Sequence, residues 1–181
     1  MKLFKAMVAL SLLVVSPASF AALASSYQFN GQGNWSIDAA GDITGFSELR
    51  ATVPTGSTVE RAFLYSSTYF NAPRPRVSFG GRTIAGNGNW TALGMTGGPV
   101  NALQAYRADV TAQVARAVAA TGEALVSGFE HTPGIDGQIL AVVDSNSDEV
   151  ERQSNLSGGF SDSFGEETAL TLDAPRTDDL L

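Results

Sequence analysis

The chain has 181 residues, with 18 acidic and 11 basic side chains, a net charge of −7, one histidine and no cysteine. These counts exclude disulfides, cysteine nucleophiles and multi-histidine metal centres. The acidity removes any electrostatic basis for binding nucleic acid or an anionic membrane surface.

Lys2 and Lys5 precede an apolar run over residues 6–15 that only Ser11 interrupts, and Pro17 then leads to the small-residue site Ser19-Phe20-Ala21. That order is a secretory signal peptide, residues 1–21, cleaved after Ala21. The run is shorter than the roughly 20 apolar residues that span a bilayer. The expected product is secreted, extracellular or periplasmic, with no membrane span after cleavage. Losing both lysines leaves nine arginines against 18 carboxylates, a net charge of −9. One domain is expected over 22–175, then an acidic tail at 176–181. A domain of this length buries roughly 70% of its unfolded surface and needs no disulfides.

Read in chain order, short β-rich runs separated by Gly, Pro and Asn clusters predict strands over 27–29, 35–38, 48–53, 59–69, 76–79, 82–85, 124–129, 138–143 and 168–172. In "VERAFLYSSTY", Phe63, Tyr65 and Tyr69 share one face and Ala62 and Leu64 the other. In "RVSFGGRTIA", Gly80-Gly81 supplies the positive φ angles of a two-residue turn and sets Val77 opposite Ile84. "QILAVV" suits a central strand covered on both faces. One segment departs from this pattern. In "RADVTAQVARAVAATG", Val110, Val114 and Val118 recur every four residues among alanines, with Asp109 as cap and Gly122 as stop. This predicts a short amphipathic helix over about 110–120, packed on an open end or face. The fold expected is mainly β, an antiparallel sandwich or jelly roll with one short helix.

"GQGNWS" (31–36) and "GNGNWT" (86–91) share the pattern Gly-x-Gly-Asn-Trp-Ser/Thr. Exposed, Trp35 and Trp90 would stack on the apolar faces of sugars; buried, each would plug one end of the core, the reading favoured by the free energy of burying an indole. Asn34, Asn89 and Asn155 stand in Asn-x-Ser/Thr sequons, which matter only in a eukaryotic secretory pathway. His131 lies near Glu130 and Asp136, yet no Gly-x-Ser-x-Gly elbow accompanies it, so no hydrolytic triad is assigned. In "DSNSDEVE", Asp144, Asn146 and Asp148 match the first three ligand positions of an EF-hand loop. Glu149 replaces the required glycine, however, and Asn155 the bidentate glutamate. An EF-hand is therefore rejected. A solvated turn is expected, with a low-affinity calcium site at Asp144, Asn146 and Asp148 as the alternative and no other cofactor.

"YRADVTAQV", "GIDGQILAVV" and "GGFSDSF", in that order, resemble a group of uncharacterised secreted bacterial β-sandwich proteins, several of which carry PEP-CTERM sorting signals. The resemblance covers about residues 45–172. It implies a sandwich fold and no catalytic residues. Asp144 stands where the group has tyrosine, and the chain ends at "APRTDDLL" where members of the group continue. An open strand edge is expected there, unless the helix covers it. Together these readings give a non-catalytic structural or adhesion-type protein of the envelope or extracellular matrix, whose partners are polysaccharide or envelope protein. The alternative is a carbohydrate-binding module or part of a carbohydrate-active enzyme.

Overall fold

The alternation read at 59–69 builds the central strand of the molecule. A computed structural model describes residues 23–41, 45–69, 72–96, 102–121 and 124–159. These residues form β1 (Ala24–Ala40), β2 (Phe46–Ala51), β3 (Thr58–Thr68), β4 (Val77–Phe79), β5 (Arg82–Ile84), β6 (Thr91–Thr96), β7 (Leu103–Asp109), α1 (Thr111–Thr121), β8 (Ala124–Glu130), β9 (Ile135–Ser145) and β10 (Glu151–Gly158). The predicted signal segment, strand at 168–172, Gly122 helix stop and acidic tail lie outside the described residues.

The fold is mainly β, a sandwich-like pair of antiparallel sheets. One has the order β10-β1-β9-β3-β7-β6 and curls into a half-barrel; the other has the order β2-β8-β4-β5. Between them lies the main core, where Ala62, Leu64, Leu140 and Val142 from the large sheet meet Leu49, Phe79 and Val126 from the small one. The sheets are also stitched by polar bonds, because the Arg50 amide donates to Asp38 Oδ2 and the Thr52 amide to Ser36 Oγ. The β4–β5 hairpin has the expected register, Val77 opposite Ile84. Its turn needs two successive left-handed residues, and Gly80 and Gly81 provide them at φ 56° and 74°.

Three strands were not expected. β6, "TALGMT", loses its alternation at a bulge between Ala92 and Gly94. β7, "LQAYRAD", presents only Tyr106 and Ala108 to the core as fully buried side chains. β10, "ERQSNLSG", carries a single aliphatic side chain and is held by its backbone ladder with β1. The runs at 27–29 and 35–38, predicted as separate strands, are parts of the one strand β1.

The helix follows β7 after one residue, and the junction explains the Asp-Val-Thr segment. Val110 is fully buried, and its amide donates to Ala62 O at 2.9 Å. Thr111 Oγ1 accepts from the Ala62 amide at 3.0 Å and donates to Asp109 Oδ1 at 2.6 Å, while the Thr111 amide also donates to Asp109 Oδ1, at 2.9 Å. Asp109 thus caps the helix from one position further out than a standard N-cap and pins it to β3. Val114 is fully buried and α1 packs on both β3 and β8, closing one side of the sandwich.

Burial raises the Asp109 carboxyl, but bonds from the Thr111 hydroxyl and amide and the Arg61 guanidinium outweigh it and hold the group below its ordinary value. Asp109→Ala is expected to cost about 1 kcal/mol at pH 7, the usual worth of a cap. A depressed carboxylate lends stability above its unfolded value and loses it as pH falls. The gap between wild type and variant should therefore close toward pH 3 in urea melts.

Candidate functional site

Strand β1 would be about 55 Å long if straight, yet Leu23 and Ala40, at its two ends, line the same cavity. The strand must therefore fold back on itself. The bend falls at Gly31–Gly33, where the ladder partner of β1 changes from β10 to β9. Phe29 packs there, its ring 3.3 and 3.0 Å from where β-carbons at Gly31 and Gly33 would lie. The bend carries the first half of β1, with β10, across the outer face of the large sheet. Tyr27 then meets Phe63 edge to face, with centroids 6.3 Å apart. At the far end of this ribbon, a β-carbon on Gly158 would sit 3.3 Å from Tyr65 and 3.5 Å from Leu93.

The ribbon thus roofs a second apolar layer, on the opposite side of the sheet from the main core. Its floor is Phe63, Ala141 and Val143, all buried. Two cations lie over the aromatics of this layer: Arg107 over Phe63 at 4.8 Å and Arg61 over Tyr27 at 5.3 Å, the latter also paired with Asp109 at 3.2 Å. Between the sheet and the ribbon is a cavity of about 570 Å³ to which all six strands contribute, among them Ile37, Tyr65, Leu93, Ala105, Ile139 and Leu156, while of the three floor residues Ala141 reaches it. Ile37 and Ile139 remain 51% and 44% exposed. Among the described residues the lining contains one carboxylate, Asp136, and no Arg, His or Lys. Asp136 accepts a hydrogen bond from Tyr69, and that bond and its charge hold the Tyr69 phenol above its ordinary value.

The structure separates the residues singled out in the sequence. Trp35 is 52% exposed, on the same face of β1 as Ile37 but outside the cavity lining. Trp90 is 3% exposed and packs edge to face on Tyr106 with centroids 6.5 Å apart, beneath Arg74. Trp90 is core and offers no ring face to solvent, so the two indoles form no shared platform.

Asp144, Asn146 and Asp148 are likewise parted. Asp144 belongs to β9, is 1% exposed and shares the core-facing side of the strand with Leu140 and Val142. Burial raises its carboxyl above the ordinary value. The Ser57 hydroxyl opposes the rise without making a hydrogen bond of good geometry, and the Glu149 charge adds to it. Asn146 Oδ1 accepts the Asp148 amide at 3.0 Å and its Nδ2 donates to Ser57 Oγ at 3.1 Å, which closes the turn on itself. Asp148 is exposed. Among the described residues no three His, Asp or Glu side chains converge on a metal position.

One pairing had no signal in the sequence. Ser78 Oγ lies 2.7 Å from His131 Nε2, beside the exposed Phe46–Phe129 ring pair on the outer face of the small sheet. Ser78 sits mid-strand with β5 and β8 on either side, so the neighbouring amides are committed to ladders.

These features define a class: a β-sandwich-like domain with an apolar cavity, open to solvent on one side, outside its main core. No family model, curated protein or solved structure matches the chain. Among the described residues no helix is long and apolar enough to cross a membrane.

Proposed function

We propose that the chain is an exported, non-catalytic component of the cell envelope or extracellular matrix that works by holding and contacting other molecules. The carrying observation is the chemistry of the cavity. With a single carboxylate and no cation or imidazole among the described residues of its lining, it has the means to retain a molecule but no acid–base pair there to transform one. The signal segment and the resemblance to secreted bacterial sandwich proteins support the same reading. The test is a panel of nitrophenyl esters and glycosides. No turnover above buffer is expected, and turnover abolished by Ser78→Ala or His131→Ala would overturn the proposal.

The exposure of Trp35 favours a second reading, a surface for carbohydrate. Retention of the protein on an insoluble polysaccharide that is lost in Trp35→Ala would establish it, because the indole is the only exposed tryptophan among the described residues.

A further inference from the structure

We propose that the cavity beneath the β1–β10 ribbon binds one molecule of a neutral single-chain amphiphile, of the long-chain alcohol type. This deepens the holding role proposed for the same cavity and rests on it. At about 570 Å³ the space falls within the roughly 300–1,000 Å³ of small-molecule sites. Its walls are mainly aliphatic. Leu23, Ile37 and Ile139 line it while staying 44%, 51% and 44% exposed. Large apolar side chains left wet inside a concavity are where a hydrocarbon gains most, at about 25 cal/mol per Å² covered.

Charge decides the head group. Among the described residues Asp136 is the only carboxylate of the lining and is exposed, and none of them offers a cation to an anion. The nearby guanidiniums are engaged elsewhere, Arg107 on Phe63 and Arg61 on Tyr27 and Asp109. A fatty-acid carboxylate would thus enter beside a like charge with no partner, whereas an alcohol can donate to Asp136. Ser67 adds a hydroxyl on the same side.

The probe is the neutral dye N-phenyl-1-naphthylamine, added to protein expressed as the full chain and purified after export. One dye per chain is expected, displaced by 1-dodecanol, with dodecanoate at least tenfold weaker. Asp136→Asn should narrow that tenfold gap. Ala105→Phe, which fills the cavity, and Ile139→Asp, which charges its half-exposed wall, should each weaken the dye at least tenfold. Phe129→Ser, on the opposite sheet, should leave it unchanged. Circular dichroism confirms that the variants are folded, and Ile139→Asp serves if the overpacked one is not.

Dye binding that ignores both cavity variants, or that Phe129→Ser removes, overturns the site. Binding that appears only after deletion of residues 160–181 would show that the chain fills its own cavity, and also overturns it. Dodecanoate competing as well as dodecanol sinks the ligand class alone. Ester or glycoside turnover would sink the non-catalytic reading and leave the binding result standing.

Discussion

Gly33→Ala is expected to destabilise the protein by about 3 kcal/mol or more, since among the described glycines compared an added methyl meets its closest contact there. A β-carbon there would lie 2.0 Å from the backbone oxygen of Asp144 and 3.0 Å from the Phe29 ring. The oxygen cannot retreat, because Asp144 sits in β9 between Asn34 of β1 and Val59 of β3. The strand itself must therefore open. Removing glycine stiffens the unfolded chain and returns about 0.4–1 kcal/mol, too little to offset a backbone clash. Gly88→Ala is the control, since its added methyl meets nothing within 4 Å, and it should stay within about 0.5 kcal/mol of wild type. Urea denaturation compares the two. Equal midpoints for Gly33→Ala and Gly88→Ala would show that β1 does not need glycine to fold back.

Most of the sandwich was legible because it follows local rules. Two glycines between β-rich runs set the Val77–Ile84 register, and the valine spacing set the helix. Strands β7 and β10 escaped because period two is visible only when one face is aliphatic, and their stability comes from ladders with β3, β6 and β1. The cavity was illegible for a different reason. Its walls are contributed by residues as distant as Leu23 and Leu156, brought together by a bend that glycine permits but does not announce. Phe63 and Tyr65 were read correctly as sharing a face. What lies over that face depends on the ribbon, whose sequence, "SSYQFNGQGNW", looks like strand followed by turn. The acidic stretch misled in the opposite direction. Asp144 ends the apolar run of "QILAVV" and so reads as the start of a loop, although β9 continues through Ser145 and buries it.

That burial leads to the second large effect, in which removing a charge strengthens the fold. Both Asp144 oxygens are buried without a hydrogen-bond partner among the described residues, and the folded-state carboxyl is raised above its ordinary value, chiefly by desolvation. A raised carboxyl means that the folded protein holds the proton more tightly than the unfolded chain. Its contribution is fully present below the unfolded value, near pH 4, and is lost as pH rises through the folded value. Above that range the ionised group is a buried, unpaired charge. Asp144→Asn keeps the shape, removes the charge and should therefore stabilise the protein at pH 7 by about 1–3 kcal/mol. Near pH 4 the variant and wild type should converge. Urea melts at both pH values measure this. A loss of stability at pH 7 would mean that the ionised carboxylate has a partner, the Ser57 hydroxyl or a cation, and chelation separates the two. A calcium site held at 100 times its dissociation constant would add about 2.7 kcal/mol, so a chelator should lower the wild-type melting temperature by several degrees and leave Asp144→Asn untouched. If burial alone governs Asp144, the chelator changes neither protein, and the amide variant remains the more stable at neutral pH.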